Sequence, residues 1–326
     1  MTEVITKILR ELTPEDIEKL KLLSQIFGGT QIQQPIQNVT VEQGFAGYNK
    51  IIEFKLSKKS VECAKTSERR FLMFIPGNRI LNSIERKDAE DLMMQISKTA
   101  RKACHNYLKI YRTMFNIFID WNYIDQNPFL KVKLPKRQKE EPIFFNEEQL
   151  QSLYSKLIEK GKDTIADLVI FGVSSGMRPG EMRLLKWSDI DFRNKVITVG
   201  KSFSTKTKRI RKLPFNEKME EILFRNSNRQ LAKRKILCEY VFTKENGMPY
   251  QLDTISKTVK RAIRDAGLPE EFHLYCTRAT AATRWASNKV PIFTVSKLLG
   301  HTNPSITARY YANVDLEELR DAINRL

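Results

Sequence analysis

The stretch Leu298-Leu299-Gly300-His301-Thr302-Asn303-Pro304-Ser305-Ile306-Thr307-Ala308-Arg309-Tyr310-Tyr311 sets a tyrosine nine residues after a histidine, close to the end of a strongly basic chain. At that separation a phenol and an imidazole can be brought into one site. So short a pair acquires meaning only from what the rest of the chain sets beside it.

The chain has 326 residues, enough for two domains of ordinary size that each bury a core. Lysine and arginine number 56 against 38 aspartate and glutamate, a net charge of +18, and the basic residues recur along the whole length. That balance favours a polyanion as partner, although a basic surface alone serves an acidic membrane or plain solubility as well. Met1-Thr2-Glu3-Val4-Ile5-Thr6 lacks a basic leader with an apolar core, and no stretch approaches the ~18 consecutive apolar residues of a spanning helix. A cytoplasmic protein without membrane contact is expected. Cys63, Cys104, Cys238 and Cys276 stand far apart with no CxxC pair, and only three histidines occur, so neither disulfides nor structural zinc are expected.

Residues 1–38 read as a helical arm, stopped by Gly28-Gly29 and followed by a polar linker, suited to packing or oligomerisation more than to reading DNA. Residues 39–130 read as a helical domain, including helices over Lys65 to Phe74 and Ala100 to Trp121. In the second, Tyr107, Ile110, Tyr111, Met114, Phe115 and Phe118 recur at helical spacing and predict a buried stripe. Lys65, Arg69, Arg70, Lys98, Arg101, Lys102, Lys109 and Arg112 are then expected on outer faces, where together they suit phosphate contacts. A charged, proline-punctuated run over 131–143 reads as an interdomain linker. A new core begins in 144–326, where Asn146 opens one helix and Asp163 to Ser174 forms another that is apolar almost all round.

That apolar helix runs into Ser175-Gly176-Met177-Arg178-Pro179-Gly180-Glu181. Pro179 suits a first helical turn, so Arg178 sits where a helix begins, able to meet an anion or simply to pair with Glu181. Lys195-Val196-Ile197-Thr198-Val199 and Arg209-Ile210-Arg211-Lys212-Leu213-Pro214-Phe215 alternate as the strands of a hairpin presenting lysines. Glu239 to Thr243 reads as a further strand, and Asp253 as the cap of a basic helix. Phe272-His273-Leu274-Tyr275-Cys276-Thr277-Arg278 follows, with His273 and Tyr275 on one face if the segment is extended.

Taken in order, these motifs resemble the tyrosine recombinases (integrases) over about residues 145–314. Gly176, Arg178, Glu181, Leu185, Trp187 and Asp189 stand in register with the family's first-arginine motif. Counting back from Leu299-Gly300-His301 puts Arg278 at the second arginine. The family's active-site lysine, eight residues before a proline, falls on Lys206; Lys201, directly after Gly200, is the competitor. His301 ends one helix, and the spacing from it selects Tyr310 as nucleophile over Tyr311. The sequence departs from the family at Tyr275, where a histidine is usual. A phenol titrates near 10 instead of near 6.5, so Tyr275 would hydrogen-bond more than shuttle protons, and His273 is the possible stand-in.

The resemblance implies a mainly α fold with a small antiparallel sheet, an α+β catalytic domain joined to a helical core-binding domain in a C-shaped clamp around duplex DNA. It implies a site-specific DNA recombinase that forms a 3′-phosphotyrosyl bond through Tyr310 without metal or other cofactor, acting as a homo-oligomer, a tetramer on a specific double-stranded recombination site. Arg178 and Arg278 would neutralise the nonbridging oxygens, Lys206 would protonate the leaving 5′-oxygen, and Tyr275 and His301 would assist. Integration and excision of a mobile element is the use expected, with Tyr275 pointing toward archaeal plasmid or virus integrases. Resolution of chromosome dimers, type IB topoisomerase action and DNA binding without catalysis are the alternatives.

Overall fold

The computed structural model describes residues 38–135, 141–203 and 210–311. Residues 1–37 of the expected arm, residues 136–140 of the linker, Lys206 and the last helix after Asp315 lie outside these residues. The chain divides into two compact units, Met1–Arg137 and Gln138–Leu326. Described strands and helices give a mostly helical fold with one three-stranded antiparallel sheet.

In the first unit, Thr40 and Gln43 cap α1 (Val41–Lys55) reciprocally, and Ser57 caps α2 (Lys58–Leu72). Helices α3 (Arg86–Thr99) and α4 (Cys104–Asp120) complete the unit's described α-helices. Of the expected stripe, Tyr111, Met114, Phe115 and Phe118 are fully buried, while Tyr107 and Ile110 are partly so. Phe71, Phe115 and Phe129 nest together, with the rings of Phe115 and Phe129 only 4.9 Å apart. The Tyr111 hydroxyl donates to the Ser67 carbonyl at 2.8 Å, so the one polar atom of that ring is satisfied inside the core. Gly44 permits α1 to lie this close, because a Cβ there would meet Leu81 Cδ1 at 2.4 Å. Arg112 departs from the outward placement expected of it. Its guanidinium donates to the carbonyls of Phe129 and Val132 at 3.0 and 2.7 Å, fastening the following segment to α4.

In the second unit, Asn146 and Gln149 cap α5 (Glu147–Glu159), and α6 (Asp163–Ser175) runs through the centre. Helix α6 buries Ile165, Leu168, Val169 and Phe171 because neighbours cover it on several sides: α5, α8 (Glu217–Arg234) and α10 (Cys276–Ser287). A short helix, α7 (Pro179–Met182), follows. Strands β1 (Ile190–Asp191), β2 (Val196–Val199) and β3 (Arg211–Pro214) form the sheet in that order, with Ile197 paired to Leu213. Strand β2 starts one residue later than expected because Lys195 takes a left-handed turn conformation. Helices α9 (Leu252–Asp265), α11 (Ile292–Leu299) and α12 (Ser305–Ala308) complete the unit, and Arg309–Tyr311 makes a final 3-10 turn.

Two local expectations are corrected. Glu239 to Thr243 is no strand: Tyr240 and Thr243 make single bridges, and Gln230 on α8 donates its side-chain amide to the carbonyls of Tyr240 and Val241. A buried side chain thus satisfies backbone that a ladder would otherwise pair. Asp253 lies within the first turn of α9, whose cap is Gln251.

The nested rings make a direct expectation. Phe115→Ala should cost about 3–5 kcal/mol of unfolding free energy, read by urea denaturation; a loss below about 1 kcal/mol would place that ring outside the core.

Candidate active site

Helix α6 stops at Gly176, which adopts a left-handed conformation at φ 61°. A Cβ there would be strained, and it would also meet the Trp285 ring at 2.8 Å. The turn delivers Arg178 to the position before Pro179, at the start of α7. Glu181, only 4 % exposed, reaches back from α7: it accepts the Arg178 backbone N–H at 3.1 Å and the Arg178 guanidinium at 3.0 Å. Arg211 on β3 grips the same carboxylate with both terminal nitrogens, at 3.2 and 2.8 Å.

Three arginines converge on the end of α11. Arg211 donates to the Leu298 carbonyl at 3.1 Å, Arg278 to Leu299 at 2.6 Å and Arg178 to Gly300 at 3.3 Å. Arg278, 6 % exposed, also donates to the Gly176 carbonyl at 2.8 Å. Gly300 turns the chain left-handed, and His301 follows directly. Its Nδ1 lies 2.8 Å from the Thr307 hydroxyl. Thr307 is fully buried.

The two adjacent tyrosines part company. Tyr311 donates its hydroxyl to the Val290 carbonyl, and burial raises its phenol above the ordinary value. Tyr310 packs its ring on the cluster of Ala282, Val295 and Leu299. Its oxygen accepts a hydrogen bond from Arg309 at 2.8 Å, and it lies within electrostatic reach of Arg278.

Cations dominate the site. Burial, then the charge of Arg178, lowers Arg278 to about 9, so it stays protonated at neutral pH. Burial and the surrounding arginines lower His301 to about 4, so its ring is neutral at neutral pH. Burial alone would raise the Glu181 carboxyl, but the hydrogen bonds and charge of Arg211, with help from Arg178, hold it below its usual value.

The structure therefore brings Arg178, Arg278, His301 and Tyr310 together. Lys206 lies outside the described residues, whereas Lys201 is exposed and donates to the Ser188 carbonyl at 3.2 Å. Tyr275 is 50 % exposed, and its hydroxyl has no hydrogen-bond partner among the described residues. The segment before α10 is a turn, which corrects the extended reading, and His273 Nδ1 lies 3.1 Å from the Cys276 sulfur. Sequence reasoning missed Arg211. It shares a strand face with buried Leu213, and a cation on an inward face was the available signal. Among the described residues, no group of three or more His, Cys, Asp or Glu side chains is placed to hold a metal ion, and no helix is long and apolar enough to cross a membrane.

The profile of the phage integrase family matches residues 143–318. The chain belongs to that family. A XerC-like tyrosine recombinase of Caldanaerobacter subterraneus is 31 % identical over 285 residues, covering 76 % of this chain and 71 % of the relative. A tyrosine recombinase of Thermosipho africanus is 26 % identical over 280 residues, covering 83 % and 94 %. Among solved structures, the Tn1549 transposon integrase in complex with a circular intermediate DNA matches with TM-score 0.75 and 21 % identity, over 88 % of this chain and 100 % of that one. A lambda integrase dimer bound to a COC' core site matches with TM-score 0.69 and 19 % identity, over 82 % and 97 %. At these identities the structural likeness bears on the fold alone. As a member of the phage integrase family the protein is a site-specific recombinase, an enzyme that exchanges DNA strands. Both curated relatives are bacterial, which lends no support to the archaeal affiliation implied by Tyr275.

Two outcomes follow for this phage integrase relative. Glu181→Gln leaves the guanidinium ions of Arg178 and Arg211 without their carboxylate, beside Arg278, and should cost about 3–5 kcal/mol of stability, measured by denaturant unfolding. His301 should make stability depend on pH. Its folded value of about 4 lies below the ordinary value of 6.5, so the unfolded chain takes up the proton first. Above about pH 6.5 both states are neutral and nothing changes; as pH falls from there toward 4, stability declines. The difference in melting temperature between the wild type and His301→Gln should shift across that window, and a flat difference would contradict the assignment.

Proposed function

We propose that this recombinase integrates and excises a mobile element, cutting each strand through Tyr310. Residues 39–130 serve as the core-binding domain and 144–326 as the catalytic domain, and the protein works as a homo-tetramer on two duplex sites. The phenol attacks the scissile phosphorus, a 3′-phosphotyrosyl bond forms, and the P–O5′ bond breaks. A 5′-hydroxyl from the partner duplex then attacks the phosphotyrosyl bond and releases Tyr310, so the phosphodiester's energy is conserved.

The observation that carries this reading is the convergence of Arg178, Arg278 and His301 on the end of α11, with Tyr310 beside them. Arg178 and Arg278 keep unused N–H groups for the nonbridging oxygens after their carbonyl contacts. With Thr307 donating to Nδ1, neutral His301 presents Nε2–H to the same phosphate. Lys206 is the acid for the leaving oxygen; the engagement of Lys201 with a backbone carbonyl supports that choice. Tyr275, exposed and with its hydroxyl unpartnered among the described residues, is free to donate to phosphate, whereas His273 is occupied by Cys276. A Xer-type role in resolving chromosome dimers is the second reading, favoured by the XerC-like relative.

A nicked suicide duplex carrying the element's attachment sequence tests the assignment. Tyr310→Phe should abolish the covalent protein–DNA band, Tyr311→Phe should retain it, and Lys206→Ala should slow its formation by about 10²- to 10⁴-fold. A band that survives in Tyr310→Phe and vanishes in Tyr311→Phe would overturn the nucleophile. Cleavage of a chromosome-dimer site in preference to the attachment site would favour the second reading.

A further inference from the structure

Activating the nucleophile is the costly step in such a site. A phenol titrating near 10 is ionised about one part in a thousand at pH 7, which is roughly 4 kcal/mol against attack. Among the described residues, no acceptor stands at the Tyr310 oxygen to remove its proton. What stands there is a donor: Arg309 Nη2 lies 2.8 Å away. The same guanidinium sits over the Tyr310 ring, 4.9 Å from its centroid, so one side chain contacts both the face and the oxygen of the phenol.

The neighbouring tyrosine provides an internal contrast. Tyr311 faces a carbonyl and donates to it, which holds the proton on the oxygen. Tyr310 faces a permanent cation and accepts from it. Two phenols on consecutive residues thus meet opposite partners, an acceptor at Tyr311 and a cationic donor at Tyr310.

We propose that Arg309 is a catalytic residue: its guanidinium, bonded to the Tyr310 oxygen, stabilises the phenolate that attacks the scissile phosphate. This rests on the reading of Tyr310 as the nucleophile. The phenol's proton passes to solvent water, an oxygen lone pair forms the bond to phosphorus, and the P–O5′ bond breaks with its electron pair on the 5′-oxygen, which is then protonated. Arg309 stays protonated throughout and loses no bond. It differs from Arg178 and Arg278 in acting on the attacking oxygen instead of on the phosphate.

The test is single-turnover cleavage of the suicide duplex by the full chain from pH 6 to 9.5, with DNA binding measured in parallel by gel shift. Arg309→Ala should cleave about 10-fold or more slowly than the wild type near pH 7. The deficit should narrow as pH rises toward the phenol's ordinary value, and Arg309→Lys should recover part of the rate. A deficit that is constant across pH, one explained by weaker DNA binding, or a variant as fast as the wild type would each overturn the proposal. Tyr310→Phe run alongside separates the two levels. If it still forms the adduct, the nucleophile reading fails; if it is silent while Arg309→Ala is normal, only the Arg309 assignment fails.

Discussion

The buried carboxylate of Glu181 is the contact on which this site depends. It accepts from Arg211 with both oxygens, from the Arg178 guanidinium and from the Arg178 backbone. Burying a charge is tolerated only when partners replace its water, and here one carboxylate serves two guanidinium ions while Arg278 stands close by. Three arginines against one glutamate leave two positive charges in excess. Burial first, and then the charge of Arg178, brings Arg278 down to about 9. A cluster of cations held apart by fixed bonds, short of one anion, is preorganised to receive a phosphodiester.

The second half of the frame is a helix end. The last carbonyls of a helix have no intrahelical partner, and the dipole there is negative. In α11 the carbonyls of Leu298, Leu299 and Gly300 are taken by Arg211, Arg278 and Arg178 respectively. The arginines therefore cap the helix while the helix orients the arginines. Gly300, left-handed at φ 66°, sends the chain on to His301 immediately beyond these carbonyls. This is why the glycine-histidine step at 300–301 and the arginines at 178 and 278, far apart in sequence, share one site.

Much of this was legible in the sequence because it depends on local chemistry. Asn146 capping α5, the all-round apolar α6 and Pro179 opening α7 follow from caps, periodicity and a fixed proline φ. What escaped depends on long-range partners. Arg211 read as one more basic strand residue, since its value lies in Glu181, thirty residues away in the chain. Glu239 to Thr243 has the composition of a strand, yet Gln230 takes its carbonyls first. Arg112 looked like an outward cation until Phe129 and Val132 supplied carbonyls for it. In each case a side chain met backbone or charge that no periodicity encodes.

The departure at Tyr275 has a physical counterpart in the rest of the site. In the proposed mechanism a proton must leave Tyr310, and a histidine beside Arg278 would ordinarily be a place for it. Here the position holds a half-exposed phenol, His273 is turned to the Cys276 sulfur, and burial together with the surrounding arginines makes taking up a proton costly for His301. With no ready base among the described residues, the proposed mechanism lowers the phenolate's energy by charge. Burial and the surrounding arginines keep a proton off His301, and Arg309 bonds the Tyr310 oxygen, where the proposal puts the phenolate. In that proposal a neutral donor at Tyr275 adds a hydrogen bond to the phosphate without adding another charge to the cluster of cations.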